Sequence, residues 1–310
     1  MTLRPLVLLP LLFAAACSDK GGTGSDTDVS GDTDVAAVRD PDPDVNTYVP
    51  DGFRPKAPVR LIFLGDSITA GSGASKTSLQ YTSLLQENDA SRWQGYNKVD
   101  LESMYSTITD VIDVSVGGAT TATLKSQQIP ALKQQLGTLP VEGETIIVFT
   151  IGGNDAQGAL NPFANAQQVI NSAFKNMDAV IDQLTDPAVF AETPHIYATN
   201  IYEPSGGVGK SSCFMGIDYA AKLPVLDDYN ARLTALGEER GFSVVDLHGQ
   251  FLDHNVNAED ASNPNYDADD ATNWFYDDCI HPNDRGHHEL RRLFAAAIDG
   301  VVVEQDIPKK

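Results

Sequence analysis

Basic residues are scarce in this chain. Its 21 Lys and Arg face 43 Asp and Glu, a formal net charge of -22, and so acidic a surface repels phosphate backbones, which excludes nucleic acid as a partner. Long apolar runs are missing too, since none reaches the roughly 20 residues of a bilayer-spanning helix. Cysteine is rarer still, with only Cys17, Cys213 and Cys279, and no internal repeat is evident. What is present is ordinary globular material. The 310 residues are 42% hydrophobic, enough for one sizeable core, and a single large domain is expected rather than two.

The first 17 residues, "MTLRPLVLLPLLFAAAC", carry one positive charge at Arg4, then an apolar stretch, then small residues ending on cysteine. This is an export signal. Its end, Ala14-Ala15-Ala16-Cys17, resembles a bacterial lipobox, which implies that residues 1–17 are a lipoprotein signal peptide and that Cys17 is lipidated and anchors the mature chain in a membrane of the cell envelope. Ser18 differs from the Asp-based signal for inner-membrane retention, so the outer membrane or cell surface is preferred. In such an oxidising compartment Cys213 and Cys279 can pair.

Residues 18–58 are rich in Asp, Gly, Thr, Ser and Pro and read as a solvated tether. Within them Asp26, Asp28, Ser30, Gly31, Asp32 and Asp34 approach the spacing of a calcium-binding EF-hand loop. Its twelfth position, however, is Ala37 rather than a bidentate Glu, and helical flanks are absent, so the tether reading is preferred.

From residue 59 to about 303 the pattern repeats strand and helix. Apolar runs at 59–65, 110–118, 145–153, 195–203 and 242–251 suit strands covered on both faces. Between them "TLKSQQIPALKQQL", "NAQQVINSAFKNMDAVIDQL" and "LPVLDDYNARLTALGEERG" space apolar residues at helical intervals. The expected fold is α/β, a three-layer α/β/α sandwich around a mostly parallel sheet. Ligands of such sheets bind beyond the carboxyl ends of the strands. Three runs end there in polar, glycine-rich loops: Gly65-Asp66-Ser67, Gly117-Gly118 and Gly152-Gly153-Asn154-Asp155.

A serine hydroxyl is a weak nucleophile until a base removes its proton, so Ser67 requires a histidine. His195 and His248 fall in apolar strand runs, His254 in a polar loop, and His287 and His288 in a helix as surface or packing residues. His281 stands apart in "DDCIHPND", with Asp278 three residues earlier, an offset from which a carboxylate can fix the tautomer of the imidazole and stabilise its charged form. Asp155 reads as a turn-stabilising carboxylate.

Four blocks, "GDSIT" at 65–69, Gly118 in "VGGATT", "GGND" at 152–155 and "DCIHP" at 278–282, resemble in order those of the GDSL or SGNH hydrolases, a flavodoxin-like fold. The resemblance covers about residues 59–300. It implies Ser67 as nucleophile, His281 as general base, Asp278 as its orienting partner, and an oxyanion hole formed by the N–H groups of Ser67 and Gly118 with the side-chain amide of Asn154. No metal or cofactor is implied. Thr69 stands where the nucleophile elbow of α/β-hydrolases has its second glycine, which argues against that larger fold.

The expected activity is serine esterase chemistry on short acyl esters of carbohydrates or small alcohols. The loops after the blocks, "TAGSGASKTS", "ATTATLKSQQ" and "AQGALNPFANAQQ", offer little continuous apolar surface for a long chain. The stretch 252–277 reads as a long loop that binds calcium, contacts substrate or simply connects. Its end, "NWFYDD", places Trp274, Phe275 and Tyr276 either under the loop or against a sugar. The rival readings are a lysophospholipase or lipase, and a non-catalytic envelope protein that binds glycans in the same cleft.

Overall fold

The computed structural model describes residues 47–160, 164–210 and 218–300. The expected signal segment at 1–17 with Cys17, the Asp-rich stretch at 26–34 and Cys213 lie outside the described residues.

Five strands form one sheet: β1 (Arg60–Gly65), β2 (Asp110–Asp113), β3 (Thr145–Thr150), β4 (His195–Thr199) and β5 (Ser243–Val245). All neighbours are parallel, in the order β2-β1-β3-β4-β5. The helices are α1 (Tyr81–Gln86), α2 (Leu101–Met104), α3 (Thr121–Thr123), α4 (Ile129–Leu136), α5 (Gly153–Leu160), α6 (Ala166–Leu184), α7 (Leu223–Arg240), α8 (Leu247–Phe251) and α9 (Asp284–Asp299).

Because side chains alternate across a strand, the apolar runs feed two cores. Ile62, Leu64, Ile147, Phe149, Ile196 and Val244 face one layer, packing with residues of α4, α6 and α7. Leu61, Phe63, Ile146, Val148, Tyr197 and Val245 face the other, with α1, α8 and α9. This is the three-layer α/β/α sandwich that the alternating pattern predicts.

The elements depart from expectation where tertiary position overrides local composition. β2 stops at Asp113, and Val111 is 47% exposed, because this strand is the edge of the sheet and is not covered on both faces. His248 lies in α8, capped by the Asp246 side chain, rather than in a strand. The tether does not run to residue 58. Tyr48 exchanges backbone hydrogen bonds with Val244 of β5, and Phe53 packs edge-on against His195 and Tyr197. These aromatic residues gain more by burial than a polar linker would. No helix of the described residues is long and apolar enough to cross a membrane.

Strand order sets the site. The chain passes from β1 outward to β2 and then back across to β3, so the crevice between β1 and β3 is the topological switch point. The turns after β1, β2 and β3 all open there.

Candidate active site

β1 ends on Gly65, whose φ is +124° and where a Cβ would meet the Thr150 carbonyl at 2.2 Å. Only glycine lets β1 and β3 approach so closely. Gln128, 1% exposed, clamps the same residue from the helical segment before α4, accepting the Gly65 N–H at 2.8 Å and donating to its carbonyl at 2.7 Å. The chain turns sharply beyond that point. Ser72 N–H donates to the Ser67 carbonyl and Ala70 N–H to the Asp66 carbonyl, which leaves Ser67 half-buried at the crevice.

The opposing wall is the loop before α9. Asn283 caps that helix by accepting the Gly286 N–H, while its amide donates to the carbonyls of Asn273 and Phe275. Trp274 and Phe275 are buried beneath the loop, at 0% and 3% exposure. Tyr202 hydroxyl donates to the Ile280 carbonyl. Cys279 adopts a left-handed φ of +62° and is disulfide-bonded; Cys213, its expected partner, lies outside the described residues.

This scaffold aligns three side chains. Asp278 Oδ1 accepts the N–H groups of Ile280 and His281 at 3.0 and 2.9 Å, and Oδ2 lies 2.6 Å from His281 Nδ1. A carboxylate only accepts, so Nδ1 carries the proton and Nε2 is left as an acceptor. Nε2 lies 2.8 Å from Ser67 Oγ, where the hydroxyl donates to it. Burial pushes the Asp278 carboxyl up, but the hydrogen bond from His281, the two N–H groups and the His281 charge outweigh it and hold the group below its ordinary value. It is therefore the ionised form that faces the imidazole.

The other sequence-predicted residues meet at the same edge. Val116 N–H donates to the Gly65 carbonyl and Ala119 N–H to the Val116 carbonyl, which brings the turn carrying Gly118 beside the serine. Gly118 is exposed with φ +76°. Asn154, in the first turn of α5 rather than in a loop, donates one amide N–H to the Ala119 carbonyl at 2.9 Å; its amide has a second. The N–H groups of Ser67 and Gly118 make no backbone hydrogen bond among the described residues. Asp155 accepts the N–H and hydroxyl of Thr121 at 2.9 and 2.8 Å, tying α5 to α3.

Sequence reasoning missed the support beneath the serine. Asp66 is 3% exposed and accepts the Ile68 N–H and the Thr150 hydroxyl, while Thr69 bridges Thr150 to the Tyr81 hydroxyl. Burial pushes the Asp66 carboxyl up to about 6 against the opposing hydrogen bonds and the His281 charge. Thr150 sits in a run expected to be buried, but nothing local names its partners, and Gln128, in an amphipathic helix, carries no local signal of burial. Among the described residues no group of three His, Cys, Asp or Glu side chains is placed to hold a metal ion.

Residues 63–289 match the GDSL-like lipase/acylhydrolase family. A search of curated protein sequences found no match. Among solved structures, an acetylxylan esterase from Geobacillus stearothermophilus is 18% identical with a TM-score of 0.50, covering 81% of this chain and 98% of its own. The acetyl xylan esterase AlAXEase is 16% identical, TM-score 0.51, covering 77% and 100%. A lipase from a goat rumen metagenome is 18% identical, TM-score 0.52, covering 77% and 97%. At these identities the likeness is one of fold.

Proposed function

The chain belongs to the GDSL-like lipase/acylhydrolase family and is a carboxylic ester hydrolase; from that premise we propose that Ser67 is its nucleophile, His281 its general base and Asp278 the carboxylate that orients the base. The observation that carries this reading is the unbroken hydrogen-bond chain from Ser67 Oγ through His281 to Asp278. Ser67 Oγ attacks the ester carbonyl carbon while its proton passes to His281 Nε2, and ionised Asp278 stabilises the imidazolium that results. Negative charge on the former carbonyl oxygen is met by the N–H groups of Ser67 and Gly118 and the second N–H of Asn154. The alcohol leaves with the proton from Nε2, giving the acyl-enzyme. Water, deprotonated by Nε2, then attacks the acyl carbon and releases the acid and the serine.

The substrate is a short acyl ester of a carbohydrate or small alcohol. The polar turns around Ser67 and the 49% exposure of Tyr276, two residues before Asp278, support that choice, since an exposed phenol can stack on a sugar ring. The same fold serves acetylxylan esterases and a lipase, so fold alone does not choose between them. Val116 and Ile280, 44% and 37% exposed beside the site, favour the second reading, longer acyl chains as in a lysophospholipase. Catalytic efficiency on p-nitrophenyl esters from acetate to palmitate, on acetylated xylan and on lysophospholipid separates them. Efficiency highest on acetate and butyrate, with acetate released from xylan, is expected; a rise toward palmitate, or turnover of lysophospholipid alone, overturns the first reading.

We propose also that the mature chain begins at a lipidated Cys17 and is held at the cell envelope, at the outer membrane or cell surface. Radiolabelled palmitate incorporated into wild type and not into Cys17→Ser is the expected result; equal labelling overturns it.

A further inference from the structure

His287 has no place in the chemistry above, yet it is fully buried one turn into α9. Its two ring nitrogens join parts of the chain far apart in sequence. The Tyr81 backbone N–H lies 3.3 Å from Nδ1, and the Ser72 carbonyl lies 3.0 Å from Nε2. A backbone N–H only donates and a carbonyl only accepts, so the geometry fixes the tautomer: Nδ1 accepts and Nε2–H donates. Both bonds exist together only in the neutral ring.

The Ser72 bond leads directly to the proposed nucleophile. Ser72 N–H donates to the Ser67 carbonyl at 2.9 Å, so the His287 ring is linked to the Ser67 backbone through the carbonyl and the N–H of Ser72. Asp284, three residues earlier on the same helix face, accepts the N–H and hydroxyl of Ser75 at 2.7 Å each. Between them, a Cβ on Gly73 would lie 2.1 Å from the Pro282 carbonyl and 2.9 Å from His281 Cβ. The 72–75 loop is thus pressed against the base at one point and stitched to α9 on either side.

We propose that His287 is a positioning residue that locks the nucleophile turn onto the helix following the base, so that Ser67 Oγ and His281 Nε2 are held in register. This rests on the assignment of Ser67 and His281 above. The burial of the ring supports it, by pushing the His287 pKa down to about 4 against the Ser72 bond and the Asp284 charge, with the His281 charge acting in the same direction as burial. Tyr81 is stacked on the ring at 6.2 Å between centroids, and its hydroxyl reaches Thr69, two residues beyond the serine.

The test compares His287→Gln, His287→Asn and His287→Leu in the full chain. Gln can return the N–H toward Ser72, Asn only the acceptor toward Tyr81, and Leu neither. Labelling of Ser67 by a fluorophosphonate is followed as a second-order rate, with kcat and KM on p-nitrophenyl acetate and the melting temperature. Expected is a loss of about tenfold or more in labelling rate and kcat for Asn and Leu, with KM little changed and Gln within about threefold of wild type, although all three melt lower. Wild-type rates in the Leu and Asn variants, or equal losses in Gln and Asn, overturn the proposal. If Leu does not fold, the Gln and Asn pair decides. Failure of wild type to label at Ser67 overturns the nucleophile assignment instead, so the two failures are distinguishable.

Discussion

Replacing Asp278 by Asn separates the charge and orientation of this group from its shape. In the structure Oδ1 is claimed by two backbone N–H groups, at 2.9 and 3.0 Å, and Oδ2 by His281 Nδ1–H at 2.6 Å. An amide has one acceptor oxygen, and the two backbone donors that share Oδ1 in the wild type hold it on their side. Its NH2 group then faces Nδ1, where two donors cannot coexist. The imidazole therefore shifts its proton to Nε2, the atom that must accept the Ser67 proton. In a serine hydrolase the wrong tautomer costs about 10⁴-fold in kcat. Here the Asp278 side chain is 40% exposed and water competes for it, so a loss of about 10²- to 10³-fold is expected, with KM little changed. Asp278→Ala, which admits water in place of the carboxylate and does not enforce the wrong tautomer, should lose less than Asn. Steady-state kinetics on p-nitrophenyl acetate, with melting curves to show intact folding, decide the matter. An Asn variant within about tenfold of wild type, or an Ala variant much worse than Asn, refutes the tautomer argument.

Further outcomes follow from the same geometry. Asn154→Ala should lower kcat about 10²- to 10³-fold as one oxyanion donor is removed, whereas a purely structural role would appear as lowered melting with near-normal kcat. Gln128→Leu should destabilise the fold by about 2 kcal/mol in urea unfolding, because the buried Gly65 N–H loses its partner while the Gly65 carbonyl keeps only the Val116 N–H. Since burial raises the Asp66 pKa above its unfolded value, the native state binds that proton more tightly and stability falls as pH rises from about 4 to 6. Relative to wild type, Asp66→Asn should therefore gain stability by up to about 3 kcal/mol between pH 4 and 7; a pH-independent difference contradicts this. Cys279→Ser should lower both melting temperature and kcat by releasing the turn between Asp278 and His281, and mass mapping of the unreduced protein should find Cys279 joined to Cys213.

Legibility in the sequence followed whether a residue's role is local. The strand ends, Ser67 and the Asp278-His281 spacing are local patterns, and the structure places all of them at one crevice. The carboxyl end of β2 and the start of the packed domain were not legible because both depend on neighbours distant in sequence: an edge position in the sheet for β2, and β5 as partner for Tyr48. Trp274 and Phe275 stood between packing and substrate contact, and their burial against Phe251 resolves them as packing while Tyr276 stays exposed. The support under Ser67 was illegible. Gln128 and His287 are polar residues in amphipathic helices, ordinarily a mark of the solvent face, and it is contact with distant segments, the end of β1 for Gln128 and the turn after it together with Tyr81 for His287, that accompanies their burial.

The central claim is that an acyl group is carried on Ser67. The most direct measurement mixes the enzyme with p-nitrophenyl acetate, quenches in acid within the first turnovers and maps the peptides by mass spectrometry. The account predicts one acetyl group on the peptide containing Ser67, accumulating in wild type and absent from Ser67→Ala; acetylation elsewhere with undiminished turnover in Ser67→Ala would contradict it.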